Sequence, residues 1–414
     1  MSVTRGSRSC PIRFPGPSSS IVAVTTPRIV DNPVIVDKRV RITDVEAIVL
    51  RQPEIDEGIA DGSQDDLVIR VHTDEGLVGL GEVDSSPEVC RAIVEARGSH
   101  KIAHGLRQIL VGEDPTDVER LWEKMYRGVI FYGRRGAAIH AISGIDIALW
   151  DLKGQAEGKP VCELLGEPVR RRVRAYASRL MPETPEEVTE AVAELREQDF
   201  TAVKLGWGPL GQDPDHDVAL ARAAKEAAGH RVEILIDAGL GYGSDAVAAT
   251  RVARELEELG IYWLEEPFEP DEYEAYAELA DAVEIPVAAG EQDVTVWGFR
   301  ELIDRGHVDI LQPDVTRCGG ITETLRIAEL ARERGLRTVP HAWKSGIIKA
   351  ASLHVNAVLP DGLFQEYCVA DTPINTRLTH ELLPIEADGC VAVPTAPGLG
   401  VTIDDEILRE LRVN

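Results

Sequence analysis

Apolar positions along the chain change rhythm twice. Between residues 42 and 171 the first three apolar runs, 42–50, 67–72 and 78–82, are short and rich in β-branched residues, and they predict strands. Asp74-Glu75-Gly76, between the second and third runs, marks a tight turn. Helical spacing then takes over in 87–110, in 117–127 and most strongly in 137–157. This stretch predicts an α+β domain.

Residues 172–368 keep a different rhythm. Short apolar runs at 173–179, 202–207, 233–237, 262–265, 287–291, 310–313, 338–341 and 364–367 alternate with amphipathic segments such as 185–198, 217–228, 245–259, 273–283, 321–334 and 346–358. Strand follows strand at intervals of about 25–35 residues, and right-handed crossovers repeated that often close into a parallel barrel. An open doubly wound sheet is the alternative, but the Gly-x-Gly-x-x-Gly at 206–211 ends before the helical segment at 217 and opens no helix. The α/β barrel is the expected architecture. Residues 369–414 hold strand-like and turn-rich stretches at 391–394 and 398–403, and are expected to return to the first domain.

Composition narrows what such a protein meets. Its 414 residues carry 44 Lys and Arg against 71 Asp and Glu, a formal charge of −27. A surface of that sign repels phosphate backbones and anionic lipid, so nucleic-acid and membrane partners are not expected. No run approaches the roughly 18 consecutive apolar residues of a membrane helix. The six cysteines show no Cys-x-x-Cys and no regular spacing, which points to a reducing cytoplasm. Residues 1–41 stand apart, with seven cations, two acids and five prolines. Their run Ile21-Val22-Ala23-Val24 is too short for the apolar core of a secretion signal, so a loose basic extension is expected.

Catalytic groups of a barrel gather where its strands end, because side chains from different strands converge on one mouth. Those ends supply Lys204 in Ala-Val-Lys-Leu-Gly-Trp, Asp237 after Ile-Leu-Ile, and Glu265 in Trp-Leu-Glu-Glu-Pro. They continue with Glu291 after Ala-Ala-Gly, Asp314 after Leu-Gln-Pro, His341 after Thr-Val-Pro, and Glu366 in Leu-Phe-Gln-Glu-Tyr. Asp237, Glu265 and Glu291 fall on consecutive strands. Any one of them reads as readily as a helix cap or loop solvator. Three together, each behind an apolar strand, repel one another unless a cation joins them. An all-oxygen set favours a hard ion such as Mg²⁺, which keeps positions open for water or substrate.

Lys204 and His341 flank the three acids in strand order. Alone, each reads as a snorkelling lysine or a structural histidine. Asp314, one strand before His341, supplies the carboxylate that fixes an imidazole's tautomer and supports its cation. Glu366 either shares a proton with a substrate oxygen or is an inert ion-pair partner. Together these parts suit removal of the proton α to a carboxylate. Reprotonation from the other face then inverts the centre, and loss of a β-hydroxyl gives dehydration.

The same residues carry a family resemblance. Over 42–401 the chain resembles the mandelate racemase branch of the enolase superfamily. The most specific pieces are Ser-Gly-Ile-Asp-Ile-Ala-Leu-Trp-Asp-Leu-Lys-Gly (143–154), Trp-Leu-Glu-Glu-Pro (263–267), Ala-Ala-Gly-Glu (288–291) and Leu-Gln-Pro-Asp-Val-Thr-Arg-Cys-Gly-Gly-Ile-Thr (311–322). The resemblance implies an α+β capping domain over 42–171, a modified (β/α)7β barrel over 172–368 and a C-terminal segment, 369–414, returning to the cap. It implies that Asp237, Glu265 and Glu291 bind one Mg²⁺, that His341 and Asp314 form a dyad, and that Glu366 hydrogen-bonds or protonates a substrate or enolate oxygen. It also implies a small acid-sugar substrate and a homo-oligomer.

One departure shapes the expected activity. Racemizing members usually carry Lys-x-Lys on the second barrel strand, whereas this chain has Lys204-Leu205-Gly206. With the later lysine absent, Lys204 acts as a base or only as an electrostatic group. Dehydration of a sugar acid to a 2-keto-3-deoxy acid is the leading expectation. Racemisation, epimerisation or cycloisomerisation of a hydroxy or sugar acid is the alternative, and a barrel that kept its acids without turnover is the third. Segments 54–63 and 131–136 are candidate lids, with Arg134 or Arg135 as a candidate partner for a substrate carboxylate.

Overall fold

The computed structural model describes residues 40–413, so residues 1–39 of the expected basic extension lie outside the described residues. Strand β1 (Ile42–Arg51) pairs antiparallel with β2 (Asp65–Thr73), which pairs antiparallel with β3 (Val78–Val83). Helices α1 (Pro87–Glu95), α2 (Leu106–Leu110), α3 (Val118–Gly133), α4 (Ala137–Glu157) and α5 (Val161–Leu165) follow. The helix expected over 87–110 is two helices. Ala96 leaves helical geometry at ψ 146, and Gly98, a poor helix former, donates its N–H to Gln108 Oε1 at 2.8 Å instead. Helix α4 is buried along most of its length because it is wedged between the small sheet and the barrel. Its contact with β3 is backbone against backbone: a Cβ added at Gly81 would stand 1.9 Å from the Gly144 carbonyl oxygen.

The barrel then alternates strand and helix: β4 (Arg172–Leu180), α6 (Pro185–Glu197), β5 (Ala202–Gly206), α7 (Pro214–Ala228), β6 (Glu233–Asp237) and α8 (Ala246–Leu259). It continues through β7 (Leu264–Glu265), α9 (Tyr273–Ala280), β8 (Val287–Ala289), α10 (Thr295–Gly306) and β9 (Ile310–Leu311). It ends with α11 (Gly320–Glu333), β10 (Arg337–Thr338), α12 (Gly346–Val358) and β11 (Gln365–Cys368). Parallel pairing runs in order from β4 to β10, and β11 lies beside β4. Seven strand–helix units and a closing strand make the (β/α)7β barrel. Side-chain caps fix several helix starts: Thr184 and Glu187 form a capping box on α6, and Asp213, Asp245 and Ser345 cap α7, α8 and α12.

One buried apolar residue from each strand run fills the barrel: Tyr176, Ala202, Leu235, Trp263, Ala288, Ile310, Val339 and Phe364. Trp263 and Phe364 meet Tyr176 edge-on with ring centroids 5.7 and 5.9 Å away, pairings worth about 0.5–1.5 kcal/mol each beyond burial. Alternate residues of a strand share a face. Two positions onward from this plug therefore come Ser178, Lys204, Asp237, Glu265, Gln312, His341 and Glu366, the polar layer of the mouth. Strand β8 is the exception. Two after Ala288 is Gly290, whose φ of +128 turns the chain so that Glu291 enters the layer one residue late.

The tail carries α13 (Pro373–Arg377), β12 (Cys390–Ala392) and α14 (Asp405–Leu411). It was expected to return to the first domain, but it joins both parts. β12 pairs antiparallel with β4 of the barrel, while Gly398 donates to the Lys159 carbonyl at 2.9 Å and Val413 to the Val49 carbonyl of β1 at 2.9 Å. No helix among the described residues is long and apolar enough to cross a membrane.

Candidate active site

Asp237 and Glu265 end β6 and β7, and Glu291 follows β8. One carboxylate oxygen from each lies within 4.8 Å of the others, and all three side chains are buried. The chain fixes each one. Asp237 Oδ1 accepts from Gly239 N–H at 2.9 Å, Trp263 Nε1 donates to Glu265 Oε2 at 2.9 Å, and Gln292 Nε2 donates to Glu291 Oε1 at 3.1 Å. Burial, reinforced by the charge of Glu265, pushes the Asp237 carboxyl well above the usual carboxylate range, and burial raises Glu265 as well, against the pull of Lys204. Three buried carboxylates that resist sharing negative charge, offering only hard oxygen donors, fit a divalent cation such as Mg²⁺.

Lys204 projects from β5 into the same layer. Its Nζ lies 2.5 Å from Glu265 Oε1, 2.9 Å from Glu366 Oε1 and 3.6 Å from Asp237 Oδ2, and 5.6 Å from the centroid of the Tyr176 ring. Burial alone would favour the neutral amine, but Glu265 and Glu366 outweigh it and keep the ammonium charged. Two residues on, a Cβ at Gly206 would stand 2.5 Å from the Asp237 Cβ. No side chain fits at 206 while Asp237 keeps its place. The missing second lysine is therefore a packing consequence as well as a chemical one.

Across the mouth, His341 Nδ1 lies 2.6 Å from Asp314 Oδ2, and His341 Nε2 lies 3.2 Å from Glu291 Oε2 and 3.7 Å from Glu366 Oε2. Burial opposes a charged ring there, but Glu291, Glu366 and the hydrogen bond to Asp314 prevail and raise the imidazole to about 10. Glu366 Oε2 accepts the Ala342 N–H at 2.7 Å. Burial would raise its carboxyl, yet Lys204 and His341 hold it down at about 2. All seven strand-end residues thus meet at one mouth.

Four of them, Lys204, Asp237, Glu291 and His341, border a cavity of about 180 Å³, also lined by Arg179, Trp207, Arg317 and Trp343 and by Ala60 and Gly62 of the small domain. That volume is below the roughly 300–1,000 Å³ of drug-sized pockets and suits a small molecule. From the 54–63 segment Ala60 and Gly62 line this cavity, and Asp61 accepts the Trp343 Nε1–H at 3.2 Å. The 131–136 segment does not line the cavity. It is the C-terminal end of α3, where Arg134 caps the helix and Arg135 lies 3.8 Å from Glu301 Oε1.

The sequence reading also missed a buried ion cluster. Asp84, just after β3, pairs with Arg317 Nη2 at 2.7 Å and with Lys344 Nζ at 2.7 Å. Arg317 in turn approaches Glu291 Oε1 at 3.5 Å and Asp314 Oδ2 at 3.7 Å. Arg317 lay inside the quoted 311–322 motif, three residues after Asp314, and that position was its only signal. The 143–154 motif acts in a similar way. Ser143 Oγ accepts from Gly319 N–H at 2.9 Å, Asp146 accepts from Thr322 N–H at 2.9 Å, and Trp150 Nε1 donates to Thr322 Oγ1 at 2.9 Å. Helix α4 thus pins the loop that follows Asp314.

Known proteins match this arrangement. A family model described as mandelate racemase / muconate lactonizing enzyme, N-terminal domain, matches residues 54–166, and one described as enolase C-terminal domain-like matches 187–407. A D-galactarolactone cycloisomerase of Agrobacterium fabrum is 34% identical over 360 residues, covering 84% of this chain and 91% of the relative. An arabinonate dehydratase of Saccharolobus solfataricus is 33% identical over 360 residues, covering 86% of this chain and 92% of the relative. Among solved structures, a mandelate racemase/muconate lactonizing protein from Paracoccus denitrificans complexed with magnesium superposes with a TM-score of 0.78 at 31% identity, over 90% of this chain and 98% of that one. The chain is an enzyme of the enolase superfamily and belongs to its mandelate racemase / muconate lactonizing enzyme family.

Proposed function

We propose that the protein is an Mg²⁺-dependent dehydratase of a sugar acid, an aldonate or aldarate, that releases a 2-keto-3-deoxy acid. The observation that carries this reading is the His341–Asp314 pair facing the buried Asp237–Glu265–Glu291 triad across one small cavity. Those three acids would hold the ion, which when bound draws charge from the substrate carboxylate and so acidifies the α-C–H. Asp314 accepts the Nδ1–H of His341, and a cation on Glu291 would draw off a charge that helps keep the ring protonated, which leaves Nε2 free to shed its proton and take the α-proton. When hydrogen and hydroxyl leave from the same side, the same Nε2–H protonates the departing hydroxyl, and water is lost.

Lys204, charged and shared among carboxylates, is a poor second base; it stabilises negative charge on the substrate carboxylate. Its state and the absence of a lysine at 206 argue against two-base racemisation. Glu366, held ionised, accepts a hydrogen bond from a substrate hydroxyl. Relatives named arabinonate dehydratase and D-galactarolactone cycloisomerase support the acid-sugar class, and the second favours cycloisomerisation as the alternative outcome. The free thiols among the described residues, Cys90, Cys162, Cys318, Cys368 and Cys390, support a reducing cytoplasm.

The test is a panel of aldonates and aldarates incubated with purified protein and Mg²⁺, read as keto-acid formation. Dehydration yields a metal-dependent ketone. Solvent deuterium at the α-carbon without water loss selects the isomerase instead. Silence across the panel despite bound metal overturns both.

A further inference from the structure

Arg317 borders the cavity and stands among three acids, Asp84, Glu291 and Asp314. Only the first of these carboxylates is within hydrogen-bonding range. Arg317 Nη2 donates to Asp84 Oδ2 at 2.7 Å, and Nε donates to the Asp84 backbone carbonyl at 3.0 Å. The side-chain oxygens Glu291 Oε1 and Asp314 Oδ2 stand 3.5 and 3.7 Å from the guanidinium. Gaps of that size are up to about half an ångström too wide for a hydrogen bond.

Asp84 is itself fixed in place. Its other oxygen, Oδ1, lies 2.7 Å from Lys344 Nζ. On either side of that lysine, Trp343 Nε1 donates to Asp61 Oδ1 at 3.2 Å and Ser345 Oγ donates to Glu82 Oε2 at 2.8 Å. Three consecutive residues of the loop after His341 are thus gripped by three carboxylates of the small domain. Burial opposes a charge at Asp84, but Arg317 and Lys344 outweigh it and keep the carboxylate ionised. The oxygens that Arg317 falls short of are those the chemistry needs. Asp314 Oδ2 is the same atom that lies 2.6 Å from His341 Nδ1, and Glu291 belongs to the acidic triad. Without a charge at Asp84 these two are the nearest carboxylates left to Arg317, and a guanidinium with five donors would close on them.

We propose that Asp84 is a positioning residue: a carboxylate supplied by the small domain that holds the Arg317 guanidinium off Glu291 and Asp314, leaving the first open to the metal ion and the second to His341. This rests on the reading above of Glu291 as a metal ligand and Asp314 as the dyad acid. The small domain then completes the site from behind as well as covering it, and the charge of Asp84 matters more than its bulk.

The experiment is Mg²⁺ titration calorimetry, without substrate, on wild type, Asp84→Asn, Arg317→Met and the double variant. Asp84→Asn keeps the shape and gives up the charge, and it is expected to weaken Mg²⁺ binding by about tenfold. Adding Arg317→Met to it is expected to restore most of the loss. That gain should exceed the gain from Arg317→Met in wild type by about fivefold or more. A mere change of net charge near the ion gives Arg317→Met the same effect in both backgrounds, and so does a purely structural role. Gains equal within about twofold overturn the inference, as does Mg²⁺ affinity in Asp84→Asn within about twofold of wild type. If Asp84→Asn does not fold, a folded, Mg²⁺-binding double variant supports the inference and an unfolded one overturns it. For any acid that is turned over, kcat is expected to fall in Asp84→Asn and to recover in the double variant. The expected Mg²⁺ pattern with no turnover of any acid sinks the dehydratase reading and leaves Asp84 in its role, whereas a wild type that binds no Mg²⁺ sinks both.

Discussion

The Asp314 carboxylate is divided between two duties: one oxygen lies 2.6 Å from His341 Nδ1, and the other takes both the N–H and the hydroxyl of Thr316 at 2.6 Å. With Thr316 anchoring one side, Asp314 keeps its other oxygen aimed at the ring. Replacing it with Asn presents an N–H to Nδ1 and moves the ring proton to Nε2, where it blocks proton uptake. Asp314→Asn is expected to lower kcat by roughly 10³–10⁴ with Mg²⁺ affinity little changed. Steady-state kinetics beside an Mg²⁺ titration checks both halves, and a kcat within about tenfold of wild type removes the dyad from the account.

Gly206 makes an opposite kind of prediction. Supplying the family's second lysine by Gly206→Lys should not create a racemase, because its Cβ would stand 2.5 Å from that of Asp237. The expected result, for Gly206→Ala as well, is Mg²⁺ affinity weakened by about tenfold or more, since ligands held loosely bind poorly. The Mg²⁺-induced rise in melting temperature reads this directly. A gain of α-deuterium exchange with metal binding intact would contradict it.

Asp84 serves two buried cations at once, Arg317 and Lys344. Asp84→Ala removes the nearest carboxylate of each, leaving Lys344 with Asp66 at 4.0 Å and Arg317 with Glu291 at 3.5 Å and Asp314 at 3.7 Å. Breaking a buried pair by removing one partner costs about 3–5 kcal/mol. Urea denaturation should show a loss of that size. A loss below about 1 kcal/mol would mean that water replaces the carboxylate at this junction.

His354 gives a pH dependence away from the mouth. Its Nδ1 accepts from Cys162 N–H at 3.2 Å, so Nε2 carries the proton donated to the Leu399 carbonyl at 3.0 Å. Burial lowers this imidazole from 6.5 to about 4, with the Leu399 hydrogen bond opposing. The unfolded chain therefore binds a proton over that window and the folded chain does not. Stability is complete above pH 6.5 and falls as pH drops toward 4, by roughly 3 kcal/mol for this group. His140, lowered to about 4 chiefly by burial, adds a fall of the same sign. Melting curves at pH 7 and pH 5 should show a smaller acid shift in His354→Gln than in wild type, and equal shifts would contradict the assignment.

The candidate site was legible because its chemistry obeys strand geometry. Polar residues two positions past the apolar plug had to face the mouth, and Asp237, Glu265, His341 and Glu366 follow that rule. Glu291 obeys it only through the turn at Gly290, which the Ala-Ala-Gly-Glu motif marks without explaining. The cluster at Asp84 was not legible, since Arg317 stands 233 residues away and no local pattern links them. Helix 87–110 failed where Gly98 found a side-chain partner, and Arg135 failed as a substrate ligand because α3 delivers it toward Glu301. The state of Lys204 depended on three carboxylates brought from other strands, which spacing along one strand cannot convey.

The central claim is that His341 removes a proton α to a carboxylate beside a metal held by Asp237, Glu265 and Glu291. The most direct measurement is kcat/KM for His341→Asn and wild type on the best acid of the panel, with Mg²⁺ saturating and its binding measured alongside. The account predicts a fall of about 10³-fold or more with metal affinity preserved. Turnover by His341→Asn within about tenfold of wild type would contradict it.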